Sequence, residues 1–189
     1  MKRELDAANV LYPTPTVLVG ALVDGKPNFA TIAHVGILNA ARPHLISVSL
    51  GKARHTSVGI REHKTFSVNV PSEEHVVVTD HCGIVSGSKQ DKSRLFEVFF
   101  GSLETAPMIQ EFPLNMECRL HDVYEIATHE IFIGEIVATY AEESVLVEGH
   151  VDLGRVRPLL FDMGSRSYWG VGDVVAKCWN VGREFKPGA

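Results

Sequence analysis

Positive charge is what this chain has least to spare. Eighteen Lys and Arg stand against 23 Asp and Glu, a formal net charge of −5 with a pI near 6.0. No basic field is present to release counterions from a phosphate backbone or to hold an anionic membrane, so nucleic acid is not an expected partner. No apolar stretch escapes Pro, Asn or charge for the roughly 20 residues that a membrane-crossing helix needs. Glu4 and Asp6 interrupt the place where a secretory leader would carry its apolar run. The expectation is a cytoplasmic protein with no membrane partner. Cys82, Cys118 and Cys178 are odd in number and far apart, which argues against a disulfide framework and fits free thiols in a reducing compartment. Among the nine His no pair has the close spacing of a structural zinc site, and no metal is expected. Repeats, low-complexity tracts and Pro/Ser-rich linkers are missing too. Residues 1–189 therefore read as one domain, long enough to bury its own hydrophobic core.

Catalytic signatures are equally sparse. The dinucleotide fingerprint G-x-G-x-x-G and the P-loop do not occur, and neither do the H-E-x-x-H zinc helix or the G-x-S-x-G elbow. What is present is β-structure. Val17 to Val23 stops at Asp24-Gly25 and a second run, Asn28 to Val35, follows, which is a hairpin signal. Leu45 to Leu50 and Thr65 to Val70 read as further strands, and Leu114 to Ile126 and Glu130 to Tyr140 as a second hairpin around residues 127–129. Thr56 and Ser57 are N-cap types, predicting a short helix from there to His63, and Ser72 with Glu73 and Glu74 predicts another helix start. Many β runs with one or two short helices predict a mainly β fold, a closed antiparallel barrel with helical decorations. The segment after Gly164 reads as irregular, its Tyr168, Trp169 and Trp179 set among glycines to pack on the body or on a second subunit.

Three polar clusters lie at strand ends. Asn28 to His34 presents small and hydroxyl side chains along an edge, as a flat ligand surface or as ordinary strand alternation. Ser47 to Thr56 runs through a basic turn onto a helix start, where free N–H groups, Lys52, Arg54 and Thr56 suit a phosphate. A solvated turn with a Thr cap fits as well. Ser86 to Lys92 again joins Gly, hydroxyl and Lys, either a phosphate nest or an exposed loop. Two such loops in one acidic chain favour a single phosphorylated ligand.

In order along the chain, YPTPTVLVGALVDGKPNFATIAHVGI, HLISVSLGKARHT, FSVNV, GIVSGSKQDK, LETAPMIQEFPLNMEC and THEIFIGEIV resemble the flavoredoxin branch of the flavin reductase family, from Tyr12 to about Phe161, with residues 162–189 outside the match. The resemblance implies an FMN-binding split β-barrel, usually a homodimer, with noncovalent FMN at or near the subunit interface. It implies that Asn28, Phe29, Ala30, Thr31, Ile32 and Ala33, with Ser47, Val48, Ser49 and Leu50, border the flavin ring. Arg54, His55 and Thr56 would meet the phosphate, Lys92 in the Ser86-Gly87 loop would add charge, His129 would lie near the cofactor, and Phe161 would cover it. Where such sequences carry Trp, this chain has His34, which removes a stacking surface and could tie the reduction potential to pH. The implied activity is an FMN-dependent oxidoreductase, a flavin or ferric-type reductase with NADH or NADPH as transient donor. The alternative is an electron carrier serving a redox protein such as ferredoxin. No catalytic residue is assigned, because the flavin carries the chemistry. Cys82 is expected to be buried and inert.

Overall fold

The computed structural model describes residues 1–185. After β1 (Thr14–Pro15), β2 (Val17–Val23) and β3 (Lys26–Ile32) pair antiparallel. Asp24 and Gly25 join them at φ 50° and 72°, the left-handed pair that a two-residue hairpin requires. The run expected to continue to Val35 breaks at Ala33-His34, and β4 (Val35–Asn39) leaves separately to pair with β5 (Leu45–Gly51). Helix α1 (Thr56–His63) and β6 (Thr65–Val70) follow, then a 3-10 turn over Glu73–His75 leading into α2 (Val76–Ile84). Short strands β7 (Val98–Phe99) and β8 (Met108–Ile109) precede the long hairpin of β9 (Leu114–Ile126) and β10 (His129–Ala141).

Seven of these strands form one antiparallel sheet in the order β3-β2-β6-β9-β10-β5-β4. Its two sides are read from alternation. In β5, Ile46, Val48 and Leu50 are buried while Leu45, Ser47, Ser49 and Gly51 are only half-buried, the period of two expected of a sheet with one covered face. The covered face closes over one core in which Val19 and Ala30 share a cluster with Val48, Leu50, Phe66 and Phe132. Strands from opposite ends of the sheet order thus meet in one apolar interior, so the sheet is curled. The ladder itself does not close: β3 and β4 are edges, not partners. The fold is mainly β with a few short helices.

A second apolar cluster covers the other side of the first hairpin, where Leu18 and Phe29 pack with Cys82, Phe96, Ile109 and Phe112. Phe29 and Phe96 meet edge to face at 5.3 Å, a favoured aromatic arrangement. It seats α2 and the segment before β9 on β2 and β3. Toward the C-terminal side come β11 (Leu146–Val147), β12 (His150–Val151) and α3 (Leu153–Val156), whose first turn is capped by Asp152 accepting from the Arg155 N–H. Then β13 (Leu160–Asp162) and β14 (Ser167–Trp169) pair, and with β1 they make a small sheet in the order β1-β13-β14. This hairpin replaces the start of the irregular tail expected from sequence. Among the described residues no helix is long and apolar enough to cross a membrane.

Candidate functional site

Arg54 stands where two cavities meet. The larger holds about 370 Å³. On one side it is bounded by Thr31, Ile32 and Ala33 at the end of β3, and on another by Ser49 and Gly51 from the half-buried side of β5. His34 and His129 stand at its mouth with rings edge to face, 5.6 Å between centroids. Phe161, Met163 and Tyr168 from the β13–β14 hairpin form the far wall. Tyr168 is fixed there by donating its hydroxyl to Asp80 Oδ1 of α2 at 2.9 Å. Burial and the Asp80 carboxylate push that phenol up to about 12. Thr16 also lines this cavity, and its Oγ1 is buried without a partner, a polar atom that lacks the hydrogen bond such burial normally demands.

The smaller cavity is a tight polar cradle beside the start of α1. Ser86 and Gly87 approach Asn28 so closely that a Cβ at Gly87 would collide with the Asn28 side chain. Asn28 Nδ2 donates to Thr56 Oγ1 at 2.7 Å, which leaves the Thr56 hydroxyl hydrogen free to donate elsewhere. Thr56 is the first helical residue rather than the cap; His55 occupies the cap position and makes no side-chain capping bond. The Ser57 and Val58 N–H groups donate to the Arg54 and His55 carbonyls at 3.2 Å each, so what the helix start leaves uncovered by any side chain is the positive end of its dipole. Arg54 Nη1 donates to the Gly83 carbonyl at 3.0 Å, fixing its guanidinium between cradle and larger cavity.

Of the two readings of its loop, Lys92 does not fit the exposed one. It is only 3% exposed, and Nζ donates to the Phe29 and Cys82 carbonyls, both at 2.8 Å. One ammonium hydrogen remains, and the side chain lines the cradle. Burial, reinforced by Arg54 and opposed by Cys82, draws its pKa below the ordinary lysine value. Cys82 is buried and pushed up to about 11, so at neutral pH it is a thiol and a poor nucleophile.

The structure divides the other expected residues. Ala30, His55, Thr56, Ser86, Gly87 and Lys92 join Asn28 in the cradle, whereas Thr31, Ile32, Ala33, His34, Ser49, His129 and Phe161 line the larger cavity. Phe29, Val48 and Leu50, also expected along the ring border, line neither cavity, and their side chains are fully buried in the cores. Ser47 donates to the Gly36 carbonyl at 3.3 Å and lines neither cavity. Lys52 turns to Glu125 at 3.6 Å. Thr16, Gly51, Gly83, Met163 and Tyr168 were not anticipated. Only Tyr168 carried a signal, as an aromatic among glycines.

The family described as "Flavin reductase like domain" matches residues 9–170, which takes in Met163 and Tyr168. Flavoredoxin from Methanosarcina acetivorans is 44% identical and superposes with a TM-score of 0.94 over 97% of this chain and 98% of that one. Flavoredoxin of Desulfovibrio vulgaris (Miyazaki F) is 38% identical, with a TM-score of 0.89 over 96% and 100%. The reductase component of a 4-nitrophenol 4-monooxygenase/4-nitrocatechol 2-monooxygenase from Rhodococcus opacus is 27% identical over 69% of this chain and 67% of that protein.

Proposed function

The chain belongs to the flavin reductase-like family, in its flavoredoxin branch, and from this premise we propose an FMN-dependent oxidoreductase that seats the flavin ring in the larger cavity and the phosphate in the cradle. The observation that carries the reading is the junction at Arg54, with a mostly apolar cavity of ring size on one side and a small, cation-lined polar cradle of about 10 Å³ on the other. The residues present fit such a group. The larger cavity has the mainly apolar lining that suits a ring, and the cradle gathers donors that suit an anion, the Thr56 hydroxyl and the remaining Lys92 hydrogen, at the uncapped start of α1.

Bound flavin supplies hydride and electron transfer. The chain's task is placement. Arg54 and Lys92 hold the anionic end, and a phosphate beside Lys92 restores the charged form that burial disfavours. Phe161 and Tyr168 exclude water from one side of the ring, while His34 and His129 stay at the open mouth where a donor or acceptor must arrive. We read the curled sheet as the split barrel of the family and the working unit as a homodimer with FMN near the interface. NADH or NADPH is the proposed donor. The similarity to two flavoredoxins favours one alternative, a carrier that passes electrons to a redox protein such as ferredoxin without nucleotide turnover.

The purified protein is expected to be yellow, to oxidise NADH or NADPH, and to bind FMN far more tightly than riboflavin. Arg54→Ala should weaken FMN by about tenfold, about 1.4 kcal/mol, and riboflavin by less. A yellow, reducible protein without nucleotide oxidation would establish the carrier. A protein that binds neither flavin overturns both readings.

A further inference from the structure

Beyond Gly170, which lies against the Glu73 side chain, the chain leaves the body. Residues 170–176 form no helix or strand, and residues 177–185 then make a compact knob around a 3-10 turn, Val181–Glu184. The Val181 N–H donates to the Lys177 carbonyl at 3.2 Å and the Arg183 N–H to the Asn180 carbonyl at 3.0 Å. Among the described residues, no hydrogen bond or ion pair joins 171–185 to the rest of the chain. Val174, Val175, Trp179 and Phe185 are nevertheless 90%, 99%, 91% and 77% exposed. Isolated surface apolar residues are ordinary, but four large ones this exposed within twelve residues of chain mark an interaction surface. Trp179 also sits at φ 54°, a left-handed conformation that a bulky residue rarely keeps unless its surroundings hold it. Its own chain provides no such surroundings.

We propose that this segment is an exchange arm: it docks on a second copy of the chain and is received from that copy in turn. The inference deepens the dimer reading above. Residues 171–176 reach at most roughly 21 Å, more than the roughly 16 Å radius of gyration expected of a domain of this length, so the knob can stand off its own body. Buried aromatic residues remove about 150–250 Å² each. Trp179 and Phe185 of two exchanged arms therefore supply on the order of half the ~1,600 Å² of a standard stable interface, before Val174 and Val175 are added. The arm follows directly on β14, whose Tyr168 stands in the wall of the larger cavity. A dimer joined through it brings the partner surface to the rim of that cavity, and the unit that encloses the ligand is the pair.

The test uses the full chain with Trp169→Phe, which leaves Trp179 as its single tryptophan. Sedimentation across a concentration series should show a dimer of twice 20.8 kDa, and Trp179 emission should move to the blue in step with dimer formation. Val175→Ser with Trp179→Ser, in the parent, replaces side chains that touch almost nothing within one chain, and should raise the dimer dissociation constant at least tenfold. An unchanged constant overturns the arm and leaves the dimer reading standing. A Trp179 emission that ignores concentration while the mass changes also overturns it. A chain that stays monomeric throughout removes the dimer reading as well, and the flavin titration judges the cofactor separately.

Discussion

Three charged side chains are buried among the described residues; Glu130 is paired with Arg61, while Lys92 and Glu117 are held by hydrogen bonds alone. Lys92 spends two of its hydrogens on carbonyls from separate elements. Glu117 is fully buried and accepts from the Leu103 N–H at 2.8 Å, the Tyr140 hydroxyl at 2.9 Å, and the Ser102 N–H and hydroxyl at 3.2 and 3.0 Å. Burial alone pushes this carboxyl up, but the bonds from Leu103, Tyr140 and Ser102 outweigh it and its pKa lies below the ordinary glutamate value of 4.5. A carboxylate lowered by folding stabilises the fold above its unfolded value, and that contribution is lost as pH falls from about 4.5 through the lower folded value. Glu117→Gln should cost about 2 kcal/mol or more at pH 7, because an amide cannot accept from all of these donors. Its urea midpoint should also fall less than the parent's on acidification; equal acid sensitivity would remove Glu117 from the account. Little of this was legible in sequence. Glu117 looked like an ordinary strand residue and Lys92 like a loop cation, because burial of a charge depends on which distant carbonyls and hydroxyls converge on it. The inward turn of Val48 and Leu50 was written in the alternation with Ser47 and Ser49, but a resemblance carried over as a whole strand blurs that alternation.

At the scale of elements, α1 is short and leaves its N-terminus without a side-chain cap. Good capping residues typically contribute about 1 kcal/mol, and the chain forgoes this at the one helix start that lines the cradle. His55→Asp would supply both a cap and a negative charge. Its thermal stability should hold or rise by about 0.5–1 kcal/mol, while FMN affinity falls at least tenfold and riboflavin affinity stays put. Calorimetric titration with both flavins decides it, and equal losses for the two would remove the phosphate from the cradle. Helix α1, the Asp24-Gly25 turn and the β9–β10 hairpin were all readable, since each has strong local signals. The three-residue strands β13 and β14 were not. Elements so short are made by the partner they pair with, and β1, which completes their sheet, lies about 145 residues away in the chain.

Across the whole molecule, the larger cavity exists because three separately stabilised parts face one another: the curled sheet, α2, and the β13–β14 hairpin. The Tyr168 to Asp80 bond ties the last two together. Tyr168→Phe keeps the ring and removes the tie, so FMN affinity should drop by about tenfold, in keeping with a hydrogen bond to a charged acceptor, with global stability nearly unchanged. Fluorescence titration of FMN would show it, and an affinity equal to the parent's would mean that the wall is held by packing alone. The mainly β class was visible in sequence, but the sheet order was not. Periodicity assigns strands and faces without naming neighbours, and the open edges at β3 and β4 appear only once all seven strands are placed.

The Lys92 ammonium reaches a carbonyl of β3 and a carbonyl of α2 at once. An anion resting on its last hydrogen is therefore also a clasp between sheet and helix, and ligand affinity and resistance of this joint to local opening become one quantity measured from two ends. Amide exchange at Phe29 and at Val76 to Cys82 of α2 should slow when the cofactor is bound, reporting occupancy of the cradle from residues outside the lining of the larger cavity.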